Sequence, residues 1–178
     1  MVAAYETELE RLLDQARDLL GQADDCHLSD ANLAVNQALQ LAPDAVDAWL
    51  LKCQVASAQG DDVAALAACE MAIHRAPHRA ECLYWRGAVL GDLGRHREAL
   101  RSIEAGLRVI GETDHWLLED LYYEKTLVLD ALGLHDAAVS AIADGLARCP
   151  GSALLRAALA PAERARVRGT LKLIRGGA

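Results

Sequence analysis

The chain has 178 residues, 53% of them hydrophobic and 25% charged, with a formal net charge of −8. That is enough apolar material for one packed domain, and the negative balance opposes nucleic-acid binding by long-range attraction. Aromatic residues make up 4% with no Phe, while Ala and Leu dominate, which favours closely spaced helices over a sheet with bulky faces.

The N-terminal MVAAYETELERLL is acidic and lacks the basic, apolar and small-residue order of a signal segment. No run reaches the roughly 18 uninterrupted apolar residues of a membrane span. A cytoplasmic protein is therefore expected. Cys26, Cys53, Cys69, Cys82 and Cys149 are an odd set without a CxxC pair, which argues against a disulfide framework and against a thiolate zinc site. Asp24, Asp25, Cys26 and His27 adjoin in one loop, without a second cluster at metal-ligand spacing, so no metal is expected there.

Residues 5–22 carry Leu9, Leu12, Leu13, Ala16, Leu19 and Leu20 at helical spacing, ended by Gly21. Ser29 or Asp30 can cap a second helix with Ala31, Leu33, Val35, Ala38, Leu39 and Leu41. A second pair of stripes follows over 45–76, with Trp49, Cys53, Gly60, Ala65, Cys69 and Ala72, closed by Pro77. Cys53 and Cys69 fall where its two helices should approach closely, which suits small core residues. The third pair is the clearest. Leu83, Trp85, Gly87 and Leu90 run to the breaker Gly94, and Ala99, Leu100, Ile103, Gly106 and Leu107 follow.

These pairs are copies of one unit. Pro43 to Pro77, Gly60 to Gly94, Ala65 to Ala99 and Ala72 to Gly106 are each separated by 34 residues. A fourth unit keeps the landmarks at 39, from Gly94 to Gly133, Ala99 to Ala138 and Gly106 to Gly145, so five residues are inserted between Gly111 and about Tyr122. Thr113 or Asp114 can cap a helix beginning at His115 there, which would lengthen the first helix of the unit by more than a turn. After Pro150 the sequence predicts a short helix, a second start at Pro161, and a last helix with Val167, Leu171 and Ile174 on one side. This segment reads as a cap, because an array otherwise exposes its last stacking surface.

The 34-residue period, with its large, small, alanine, aliphatic, small and proline positions, resembles the tetratricopeptide repeat family over residues 31–150. The resemblance implies an all-α, right-handed superhelical solenoid of antiparallel helix pairs. Its repeats would span about 5–42, 45–76, 79–110 and 114–149, with a cap over 152–175, in one domain. It implies a non-catalytic module that binds a protein or peptide in a concave groove lined by the first helices. Residues in register on that face are Asp47, Glu81 and Asp120, then Leu50, Tyr84 and Tyr123, then Gln54, Ala88 and Leu127. Together they predict an acidic ladder beside an apolar and tyrosine track, suited to a partner with apolar anchors and some positive charge.

Family members that hold a chaperone's C-terminal carboxylate use Lys, Asn and Arg on this face. Here Glu81, Asp120 and Glu124 would repel a carboxylate. Gly87, Gly91 and Gly94 lie inside a helical pattern rather than after a strand, which excludes a phosphate-cradling loop. No catalytic residues, cofactor site or metal site can be assigned. An enzyme with a groove site is one alternative, and a small secretion chaperone holding an extended client segment is another. From residue 153 onward, Arg156, Arg164, Arg166, Arg168, Lys172 and Arg175 face one acid, Glu163, giving +5 against −13 for the remainder. Arg95, Arg97, Arg101 and Arg108 form a basic cluster expected on the convex side.

Overall fold

The computed structural model describes residues 2–22, 24–111 and 115–176. Among them are nine α-helices and no strand: α1 (Val2–Leu20), α2 (Asp25–Leu41), α3 (Val46–Ala58), α4 (Asp62–Arg75), α5 (Ala80–Asp92), α6 (His96–Val109), α7 (Leu118–Ala131), α8 (His135–Arg148) and α9 (Ala153–Gly176). They form a solenoid of antiparallel pairs. Each odd-numbered helix before the last packs on its even partner and on the next odd helix, whereas no two even helices pack comparably. The array therefore closes on the odd side and opens on the even side, which puts α3, α5, α7 and α9 along its inner face.

The repeat period is written into the core. Ala31, Ala65, Ala99 and Ala138 occupy one register position and are all fully buried, as are Val35, Cys69, Ile103 and Ile142 at the next aliphatic position. In the odd helices, Ala48, Cys82, Leu121 and Leu155 form a third fully buried row. Full burial of a large aliphatic side chain stabilises by roughly 1.5–3 kcal/mol, so the rows carry the array. Cys69 stands where Ile103 stands one repeat later, and Cys53 where Gly87 stands. The Cys69 thiol is pushed strongly up, first by its hydrogen bond with Cys53 and then by burial. A Cβ on Gly87 would lie 2.5 Å from Ile103 Cγ1. One repeat thus fills the helix crossing with two thiols and the next with an isoleucine against a glycine.

The three glycine turns are alike. Gly60, Gly94 and Gly133 have φ of 75, 70 and 75 degrees, a left-handed conformation that a Cβ disfavours. Each is followed by a residue whose N–H returns to the helix: Asp61 to the Ala56 carbonyl at 2.9 Å, Arg95 to Leu90 at 2.8 Å, and Leu134 to Leu129 at 2.9 Å.

Three expectations are corrected. α2 starts at Asp25 rather than after Ser29 or Asp30, because Asp24 Oδ1 accepts the His27 N–H at 2.9 Å and caps the helix a full turn earlier. The insertion before the fourth repeat does not extend α7 by a turn. Residues His115–Leu117 form a 3-10 turn, and α7 begins at Leu118 with Leu117 and Leu118 both buried while Trp116 is exposed. The candidate caps Thr113 and Asp114 lie outside the described residues.

The third correction concerns the C-terminal segment, which is one helix with Pro161 inside it. Proline there removes a helical hydrogen bond at a cost of about 3 kcal/mol or more. Packing on both sides of the proline offsets this, since Leu155, Ala158 and Ala162 join one apolar cluster with Leu118, Tyr122 and Ile142. Ala138 packs instead with Leu129 and Ala141. The side chains of Leu171 and Ile174 lie outside those described.

This packing sets the stability of the array. Leu155→Ala should cost roughly 2–5 kcal/mol in urea denaturation, and removal of α9 should lower the melting temperature and promote association, read by calorimetry and sedimentation. Gly87→Cys should cost about 1–3 kcal/mol by overpacking. Adding Ile103→Cys, which copies the preceding repeat, should make the double variant less destabilised than the sum of the two single changes.

A candidate partner-binding face on the odd helices

The register places Asp47 and Glu81 one repeat apart on neighbouring helices, and both are already occupied. Arg79, just before α5, reaches Asp47 Oδ1 with Nη1 at 2.7 Å and Glu81 Oε2 with Nη2 at 2.6 Å. Two rungs of the expected acidic ladder are thus internally neutralised. Arg79 escapes a reading by register because Ala45 and Leu118 stand at its counterparts in the flanking repeats.

Asp120 is different. Its carboxyl is raised by burial and then by Glu119. Neighbouring Glu124 is raised by burial, then by Asp92 and Asp120. Asp92 at the end of α5 is raised by burial and then by Asp62. Burial and like charge act in the same direction at all three, and among the described residues no ion pair joins any of them to a cation. The Tyr84 phenol faces the same charges and is pushed up by burial, Glu124 and Asp120. The negative potential of the inner face is therefore concentrated between α5 and α7.

The second row divides. Leu50 is 2% exposed and packs with Ala72, Cys82, Trp49 and Trp85, so it belongs to the core and presents nothing to a ligand. Tyr84 is half-buried, edge-on to Trp85 with ring centroids 5.4 Å apart. Tyr123 is half-buried on α7. In the third row Gln54 and Ala88 are half-buried, and Leu127 is 45% exposed. Asp120, Tyr123 and Leu127 thus form an accessible stripe along α7, at a spacing that places them on one helix face.

Beyond that stripe lies a cavity of about 320 Å³ between α7 and α9. Tyr123 and Leu127 line one wall, and Leu154, Ala157, Ala158 and Pro161 line the other. Leu154, Ala157 and Pro161 follow Asp120, Tyr123 and Leu127 by 34 residues. That spacing was available in the sequence. The helix start signalled by Pro161 hid it, because it divided in two the helix that continues the face. Asp130 and Arg168 stand at the rim, and Asp130 Oδ1 also meets His135 Nδ1 at 2.6 Å.

Elsewhere, Arg95 of the even-side basic cluster is held by Glu98 through two contacts of 2.8 Å, while Arg97, Arg101 and Arg108 are exposed. The Asp24 and His27 pair serves the start of α2. Among the described residues no three His, Cys, Asp or Glu side chains converge to hold a metal ion, and no helix is long and apolar enough to cross a membrane.

No family sequence model and no curated protein sequence matches the chain. Solved structures do. The thermophilic TPR protein TTC0263 of Thermus thermophilus superposes with a TM-score of 0.74 at 20% identity, over 86% of this chain and 80% of that one. MamA superposes at 0.70 and 18% identity, over 94% of this chain and 91% of that one. YrrB, described as a TPR protein with an unusual peptide-binding site, superposes at 0.58 and 21% identity, over 85% and 78%. Helix pairs in one register, three matching glycine turns and these superpositions agree that the chain has the fold of the tetratricopeptide repeat family.

Proposed function

We propose that the protein is a non-catalytic interaction module that holds a peptide segment of a partner protein on its odd-helix face. The observation that carries this reading is the α7 stripe, where Asp120, Tyr123 and Leu127 remain accessible between an acidic cluster that no cation pairs with among the described residues and a mostly apolar cavity. Half-buried tyrosines give rigid contact area at low entropic cost, and the acids supply orientation and association rate. The matching segment carries apolar side chains and at least one Lys or Arg. Because Arg79 holds Asp47 and Glu81, the cation is directed to Asp92, Asp120 and Glu124 instead. The peptide-binding site ascribed to YrrB is consistent with this use of the fold.

The test begins with the full chain as bait and identification of what it retains, followed by calorimetric titration of the isolated partner. Tyr84→Ala combined with Tyr123→Ala should weaken binding by on the order of 2 kcal/mol or more. Unchanged affinity, together with sensitivity to Arg97→Glu and Arg101→Glu, would move the site to the even-helix face.

The raised carboxyls add a pH dependence. The folded state holds protons on Asp92, Asp120 and Glu124 at pH values where the unfolded chain has released them. Their contribution to stability is therefore lost as pH rises from the ordinary carboxylate range through the raised values. Glu124→Gln should raise stability at neutral pH and flatten that slope in thermal melts. Affinity for a cationic partner should run the other way, falling on acidification as these groups take up protons, and Glu124→Gln should reduce that fall.

A further inference from the structure

We infer that the cavity between α7 and α9 is a specificity pocket for one large apolar side chain, leucine, methionine or phenylalanine, of a peptide carrying Lys or Arg a short distance away. This rests on the reading of the odd-helix face as a peptide site and adds what that reading leaves open, namely which side chain is selected and by which residues.

The cavity exists because of what α9 places opposite α7. Ala157 and Pro161 stand at the register positions that Tyr123 and Leu127 hold on α7. Short side chains where the preceding helix has long ones leave a gap of about 320 Å³. At roughly 30 Å³ each, about ten waters would fill it. Its walls are mostly leucine, alanine, proline and a tyrosine ring, with Thr126, Asp130 and Arg168 as the polar lining, so replacing the waters over the apolar part by an apolar group is favourable.

The rim charges fix the chemistry of the flanking residue. Asp92, Asp120 and Glu124 lie on the α5 side of the Tyr123 and Leu127 stripe with no cation paired to them among the described residues. At the rim of the cavity stand Asp130 of α7, whose Oδ1 already meets His135 Nδ1, and Arg168 of α9, which makes no ion pair among the described residues. A cation beside the apolar anchor is therefore drawn across the stripe toward α5 and repelled from α9. An acidic residue in the same place would meet the opposite pattern. The pocket thus discriminates by size through α9 and by sign through α5 and α7.

The experiment uses the full chain with methyl-labelled leucine and alanine. Acetylated and amidated glycine–serine peptides serve as probes, each carrying one lysine and, two residues on, leucine, methionine, phenylalanine or serine. The three apolar peptides should shift the methyl signals of Leu127, Leu154 and Ala158 saturably. The serine peptide should bind at least tenfold more weakly, as should a leucine peptide with glutamate in place of lysine. Ala157→Phe, at an exposed position that leaves the core intact, should fill the cavity and abolish the shifts. Leu127→Ala should weaken them tenfold or more by removing a wall.

If apolar peptides bind and shift the methyl of Ala88, one turn after Tyr84 on α5, while these methyls stay still, or if Ala157→Phe leaves affinity unchanged, the pocket is wrong and the peptide-binding face stands. If no peptide binds at either place, both are overturned. Shifts of the same methyls on raising protein concentration without peptide would show that a second copy fills the cavity, which also overturns the proposal.

Discussion

Everything in this molecule depends on how closely two helices can approach where they cross. Ala31, Ala65, Ala99 and Ala138 are fully buried at one position of successive even helices, and Ala38, Ala72, Gly106 and Gly145 are buried two turns further on. Small residues at these points let backbones come close enough for the aliphatic rows to interdigitate, which is where the dispersion and hydrophobic terms are gained. The tolerance is narrow. A Cβ on Gly145 would meet Tyr122 Cβ at 2.9 Å and Leu155 Cδ1 at 2.7 Å, and Tyr122 Cβ is fixed to its backbone. A Cβ on Gly106 would come closest to the end of Leu121, at 3.0 Å. The same register position is thus held more tightly at the α9 junction than one repeat earlier.

That constraint explains why so much of the fold was legible. Small residues are required at fixed points of every unit and left-handed glycines at the turns of the last three, so they recur at 34 residues, and an insertion shows itself as a uniform shift to 39. Helix pairs, their order and the core rows follow from that alone. What was not legible lies where one repeat departs from the others. Asp24 caps α2 in place of Ser29 or Asp30, the 3-10 turn at His115–Leu117 has no counterpart, and Pro161 sits inside a helix although its sequence signature is that of a helix start. Each is a local choice settled by tertiary packing rather than by propensity.

The inner face shows the same division between periodic and singular features. Register puts Asp120, Tyr123 and Leu127 in three successive rows of one face, and on α7 side chains at that spacing share a helix face wherever the helix packs. It could not reveal that Leu50, at the register position of the two tyrosines, is covered by its neighbours, nor that a single arginine outside the period neutralises two of three acids. Charge is read wrongly by repeat logic whenever the counter-ion comes from a residue that does not repeat. The acidic character of the face is consequently not a ladder along the solenoid. It is a cluster at the junction of α5 and α7, where burial and mutual repulsion leave the carboxyls with raised proton affinity.

The C-terminal helix brings these two levels together. Leu155 stands in the row of Ala48, Cys82 and Leu121, all fully buried, so at its start α9 is the first helix of a further repeat. A cap need only cover the last pair, and a helix with a polar outer face and any bulky inner face would do so. Opposite Tyr123 and Leu127, α9 carries Ala157, Ala158 and Pro161 beside Leu154, shorter side chains than the tyrosine and leucine that α7 has at the same register. The stability forgone there is reflected in a cavity beside the accessible stripe of α7. A terminal element selected for stability alone would have filled that space. That space, together with the acids on the near side and Arg168 on the far side, none of them ion-paired among the described residues, is what directs the proposed partner to the end of the array and away from its middle.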